Sequence, residues 1–234
     1  MHRKVILLVL VFQFFGCGEL QQVVNQLPGG TVVSNEEIAR GLREALSFGI
    51  DKQVSKLTAT DGFFKNELVK ILLPPELQKV DKTLRDIGLG SLADEGLKVL
   101  NRAAEDAVGE ATPIFVAAVK EITFDDAKNI LLGEDDAATQ YLTKTTSGPL
   151  YAKFNPVIKN SFQKVGADRI WQNLITKYNN LPLTNDVNPD LTDYVTTEAL
   201  KGVYTMIALE EKEIRNKLSS RTTVLLRKVF ALQD

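Results

Sequence analysis

The chain has 234 residues, with 28 basic and 30 acidic side chains and a net charge of −2 at pH 7. A near-neutral, slightly acidic surface lacks the basic excess needed to neutralise phosphates, which excludes nucleic acid as a partner. One cysteine and one histidine exclude a disulfide framework, and both residues fall within the first seventeen positions.

The chain opens MHRKVILLVLVFQFFGC, a basic patch at Arg3 and Lys4 followed by an apolar run from Val5 to Phe15. As a helix that run is about 16 Å long, against a hydrocarbon core of about 30 Å. It is too short to span and has the form of a secretory signal. Gly16 followed by Cys17 resembles the bacterial lipoprotein signal, although Phe14 takes the position where that signal usually has leucine. Cleavage without acylation would leave an exposed, reactive thiol; lipid on Cys17 gives it a membrane anchor, each buried methylene contributing about 0.8 kcal/mol. Gly18 stands where an aspartate would retain such a protein in the inner membrane, so the expected location is the outer membrane, facing the periplasm. The predicted organisation is a signal over 1–16, a lipidated N-terminus and tether over 17–33 containing Pro28-Gly29-Gly30, and a single domain over 34–234.

Loss of His2 with the leader and acylation of Cys17 leave the mature domain with no imidazole and no free thiol. Ser-His-Asp triads, Cys-His dyads and thiolate or imidazole metal sites need those groups. Carboxylates, lysine, tyrosine and hard-cation oxygen sites remain.

Helical signals dominate the domain. Ser34-Asn35-Glu36-Glu37 reads as a capping box, followed by Ile38, Leu42, Ala45, Leu46, Gly49, Ile50 and Val54 at helical spacing. Pro74-Pro75 starts a second helix that stops at Gly88, and Leu92 to Val108 carries a third, rich in small residues. Thr112-Pro113 predicts the start of a fourth, running to about Lys120. Thr123 opens a short helix ending at Gly133, and Asp135 or Asp136 opens the next. Pro149 and Pro156 are expected to divide the chain beyond Asp136 into shorter pieces. Ala167 to Tyr178 has helical spacing, the stretch NNLPLTNDVNP reads as a loop, and two helices close the chain, one ending near Leu218 and one from about Arg221 to Leu232. No alternating strand pattern reaches five residues. The expected fold is all-α, one helical-bundle-like domain of nine or ten helices.

The stretches ITFDDAKNILLGEDDAATQYL (122–142), YVTTEALKGVY (194–204), EEKEIR (210–215) and TTVLLRKVF (222–230) together resemble the domain-of-unknown-function family numbered 4197. The resemblance covers nearly the whole mature domain and implies an exported, mostly helical bacterial protein. It implies no mechanism and no functional residues.

Each candidate site has a plainer explanation. Asp186, Asn188 and Asp190 alternate as in a calcium loop, but Leu191 and Thr197 stand where glycine and glutamate are required; Asp190 also suits a helix cap. Asp135 and Asp136, with Glu134, Asp125 and Asp126 near in sequence, offer oxygens for a hard cation, yet first-turn acids stabilise helices by about 0.3–1 kcal/mol each. Glu210, Glu211 and Glu213 with Arg215 and Lys217 form four-apart pairs on a charged helix face. Phe63 and Phe64 behind Asp61-Gly62 are a contact patch if exposed, and a plug for the bundle if not. No cofactor is expected. The expected function is a membrane-anchored, non-enzymatic binding module for an envelope protein or an apolar ligand, with a carboxylate hydrolase or a structural spacer as alternatives.

Overall fold

A computed structural model of the chain describes residues 33–86, 88, 90–166, 172 and 190–234. By its contacts the chain divides after Ser34, and residues 35–234 form one compact unit. Its described residues hold eight α-helices and no strand: α1 (Asn35–Thr58), α2 (Pro75–Asp86), α3 (Gly90–Val108), α4 (Ala111–Lys120), α5 (Phe124–Leu131), α6 (Ala137–Lys164), α7 (Thr192–Asn216) and α8 (Val224–Phe230), with a 3₁₀ turn at Leu218–Ser220. The fold is all-α, with α6 packed against α7, α3 and α4, and α1 against α7, α4, α5 and α8.

The stripe expected on the first helix is the one buried: Ile38, Leu42, Ala45, Leu46, Gly49, Ile50 and Val54 all face inward along α1. Burying a leucine- or isoleucine-sized side chain contributes about 1.5–3 kcal/mol, so this stripe contributes much of what holds α1 to its neighbours. Elsewhere local signals set the ends. Thr123 accepts from the Asp126 amide while Asp126 accepts from the Thr123 amide, a full capping box at the start of α5. The α4 helix begins at Ala111, before the expected start: its N-cap, Glu110, makes no side-chain cap, and Thr112-Pro113 lies within the first turn, where proline costs no hydrogen bond.

The expected break at the prolines does not occur. Pro149 and Pro156 both lie inside α6, a continuous helix of 28 residues. Each removes one backbone bond, a cost of about 3 kcal/mol. Leu142, Thr146, Leu150, Phe154, Ile158 and Phe162 recur every four residues along the same helix and are all buried. Tertiary burial of that row exceeds the local penalty. The helix expected over 167–178, Gln172 apart, and the loop after it fall outside the described residues.

Residues 59–74, between α1 and α2, are irregular yet fastened to α3 by side chains. The Asn101 amide pairs with Ile71 like a strand neighbour, accepting from its N–H at 2.8 Å and donating to its carbonyl at 2.9 Å. Glu105 accepts from the Phe63 amide at 3.2 Å, and Arg102 joins Glu105 to Asp61 through two 2.7 Å bonds. From α7, the Tyr194 hydroxyl donates to the Leu72 carbonyl at 2.9 Å.

Candidate functional site

A buried polar group without a partner is costly and calls for an explanation. Glu211 on α7 accepts from the Ala138 and Thr139 amides and the Thr139 hydroxyl, each at 2.8 Å. It thereby caps α6, whose own N-cap residue Asp136 makes no cap bond. One turn on, Arg215 bonds Glu211 at 2.8 Å and donates to the Ile130 and Leu131 carbonyls at the end of α5. Arg221, 1% exposed, donates to the Ile214 and Arg215 carbonyls and to the Asp234 carboxylate. Glu210 accepts from Lys52 and Gln53, both at 2.6 Å. Every one of these buried charges is engaged by a structural partner.

The residues singled out from sequence scatter. Asp136 accepts from Gln140 at 2.8 Å, and Asp135 lies 3.9 Å from Lys212. Asp190 accepts from the Thr192 amide at 2.8 Å, and hydrogen bonding to Thr192 holds its carboxyl below the usual range. Asp186, Asn188 and Cys17 lie outside the described residues. Among the described residues no three Asp, Glu, His or Cys side chains converge as metal ligands. Phe63 is fully buried against α7, where a Cβ on Gly202 would stand 2.8 Å from its ring. It belongs to the core, and the pair is not an exposed patch. Its neighbour Phe64 is half-buried, with the Lys70 ammonium 4.8 Å from its ring centre.

A groove of about 350 Å³ runs between α5 and α6, lined by Asp126, Asn129 and Ile130 on one wall and Ala137, Gln140, Tyr141 and Lys144 on the other. The spacing builds it: 126, 129 and 130 share one face of α5, and 137, 140, 141 and 144 share one face of α6. Gly133 in the turn lets the helices approach, since a Cβ there would stand 2.8 Å from that of Ala137. Asp126 uses Oδ2 for Thr123, accepting from its hydroxyl at 2.7 Å and its amide at 3.0 Å. Those bonds, with the Lys144 charge, hold its carboxyl below the usual range, while Oδ1 receives no donor among the described residues. Tyr141 is half-buried, and burial followed by the Asp126 and Glu121 charges pushes its hydroxyl above the usual range. Among the described residues, the Tyr141 hydroxyl, the Lys144 ammonium and the Asn129 amide have no hydrogen-bonding partner.

The model of the family described as "Protein of unknown function (DUF4197)" matches residues 32–231. The chain belongs to the DUF4197 family. No curated protein and no solved structure matches this DUF4197 chain. The stretch 122–142, which carries part of the family resemblance, supplies every groove residue except Lys144. Sequence spacing assigns its acids to helix starts, correctly for Asp126, but passes over Asn129, Tyr141 and Lys144. Their signal is the three- and four-residue spacing of polar groups on two consecutive helices. That the two faces meet is a tertiary fact. Inside the DUF4197 domain, a void of about 20 Å³ lies among Leu42, Leu46, Ala138, Ile207, Arg215 and Phe230, room for a single water.

Proposed function

We propose that this chain is a lipid-anchored, non-catalytic binding module of the bacterial cell envelope, tethered through Cys17 and taking its ligand in the groove between α5 and α6. The observation that carries this reading is the groove itself, open to solvent and bordered by polar groups that have no hydrogen-bonding partner among the described residues. The void among Leu42, Ala138 and Phe230, at about 20 Å³, does not take an acyl chain, and the polar lining of the groove suits a polar ligand.

A carboxylate hydrolase needs one carboxyl held protonated near neutrality beside a second that stays ionised. Among the described residues, Asp61, Asp126, Asp190 and Asp234 have carboxyls held low by hydrogen bonds and nearby cations. That argues for binding over hydrolysis. The anchor reading rests on the leader and on Cys17 alone.

The test is native mass spectrometry of the protein extracted from its own envelope in mild detergent. The reading expects an acylated N-terminus at Cys17 and a bound small mass or a defined complex. Turnover of a substrate that Asp126→Asn abolishes would replace it with the hydrolase reading.

A further inference from the structure

We infer that the groove between α5 and α6 binds a small zwitterion carrying both an ammonium and a carboxylate, as in a free amino acid or a short peptide. The inference rests on the reading of that groove as a binding site and names the chemistry of its ligand.

The groove offers charges of both signs. Asp126 is held ionised by the Thr123 bonds and keeps Oδ1 without a donor among the described residues. Lys144 contributes to that ionisation through its charge, yet the two form no direct ion pair. They stand on opposite walls, Asp126 on α5 and Lys144 on α6, with the Tyr141 hydroxyl and the Asn129 amide as further partners. Ile130 and Ala137 supply the apolar part of the lining.

Simpler ligands fit less well. A plain anion that meets Lys144 also meets the Asp126 carboxylate. A plain cation meets the reverse conflict. An apolar molecule strips water from four polar groups and returns no hydrogen bonds, the costliest outcome. A zwitterion pairs its carboxylate with Lys144, its ammonium with Asp126 Oδ1, and its remaining polar atoms with Tyr141 and Asn129. Opposite charges on facing walls also fix the ligand's direction.

The test titrates the ¹⁵N-labelled full chain, in detergent, with glycine, tri-alanine, acetate and methylammonium, and follows backbone amides of residues 126–144 by NMR. Glycine or tri-alanine should move these amides saturably, with acetate and methylammonium at least about tenfold weaker. Preference for glycine identifies a free amino acid, and preference for tri-alanine a peptide. Lys144→Gln and Asp126→Asn should each weaken zwitterion binding about tenfold or more. Lys144 is exposed, and asparagine at 126 keeps an oxygen for Thr123, so both variants are expected to fold, with unchanged circular dichroism. Acetate or methylammonium binding as tightly as the zwitterions, or zwitterion binding untouched in Lys144→Gln, would overturn the ligand class and leave the groove as a site. If none of the probes moves the groove amides, the zwitterion inference falls, and the binding reading falls with it only where the protein from its own envelope also carries no bound mass or complex.

Discussion

Glu211 and Arg215, one turn apart on α7 and bonded at 2.8 Å, cap two different helices at once: the carboxylate holds the first amides of α6 and the guanidinium the last carbonyls of α5. Both side chains are almost wholly buried, at 6% and 3% exposure. An ion pair read from sequence as part of a charged helix face becomes the joint on which the α5–α6 turn hangs. The same turn sets the width of the groove.

Removing one member of that pair leaves the other charged and buried. Glu211→Gln is therefore expected to destabilise the domain by about 3–5 kcal/mol, far above the cost of an exposed pair. The double variant Glu211→Gln, Arg215→Met should cost less than the sum of the singles, because it leaves no orphaned charge. Urea denaturation of the four proteins measures this coupling.

Asp234 is the carboxylate that faces the fully buried Arg221, and that guanidinium holds its carboxyl below the usual range. A carboxyl whose pKa is lower folded than unfolded contributes stability above its unfolded value of about 3.9, and loses it as pH falls through the folded value. Asp234→Asn should therefore destabilise at pH 7 by about 1–2 kcal/mol, the lower part of the range for charged hydrogen bonds because the carboxylate is half-exposed. The difference from the unaltered chain should shrink as pH falls below about 3.9 and vanish below the folded value, and thermal melts across that range test it.

Gly202 faces the Phe63 ring, so Gly202→Ala gains helix propensity of up to about 1 kcal/mol but forces a methyl group to 2.8 Å from a fully buried aromatic. Overpacking should win, with a net loss of about 1–2 kcal/mol. Phe63→Ala, which empties the same site, should cost about 3–5 kcal/mol. A lowered denaturation midpoint for both variants is the expected result; a stabilised Gly202→Ala would show that residues 61–73 yield to α7.

Asn101 supplies both partners to the buried backbone of Ile71. In Asn101→Leu those two groups lose them, each costing about 1–3 kcal/mol. Hydrogen exchange should show the Ile71 amide losing protection while amides of α6 keep theirs, unless the whole domain unfolds.

Cys17→Ser tests the anchor separately from the fold. The variant should move from the membrane to the soluble fraction with its melting temperature unchanged, and retention at the membrane would count against lipid attachment at this residue.

Much of this domain is legible in its sequence because helices write their own signals. The α1 stripe, the Thr123–Asp126 capping box, the stop before Gly88 and the all-α class arise from hydrophobic spacing and from hydrogen bonds between residues at most four apart. The failures share one cause. Pro149 and Pro156 have a local cost that a buried row on α6 outweighs, and for Phe63 the sequence leaves patch and plug both open until the α7 that covers it decides for the plug.

The chain by itself determined its helical class, its family, and the scarcity of imidazole and thiol, since these depend on residue inventory and on short-range spacing. Only the tertiary structure decided that Glu211 and Arg215 cap helices distant from them in sequence, and that polar faces of α5 and α6 open on one another as a groove. Those relationships depend on which faces pack together, and packing is chosen by the burial of the whole core rather than by any local run of residues.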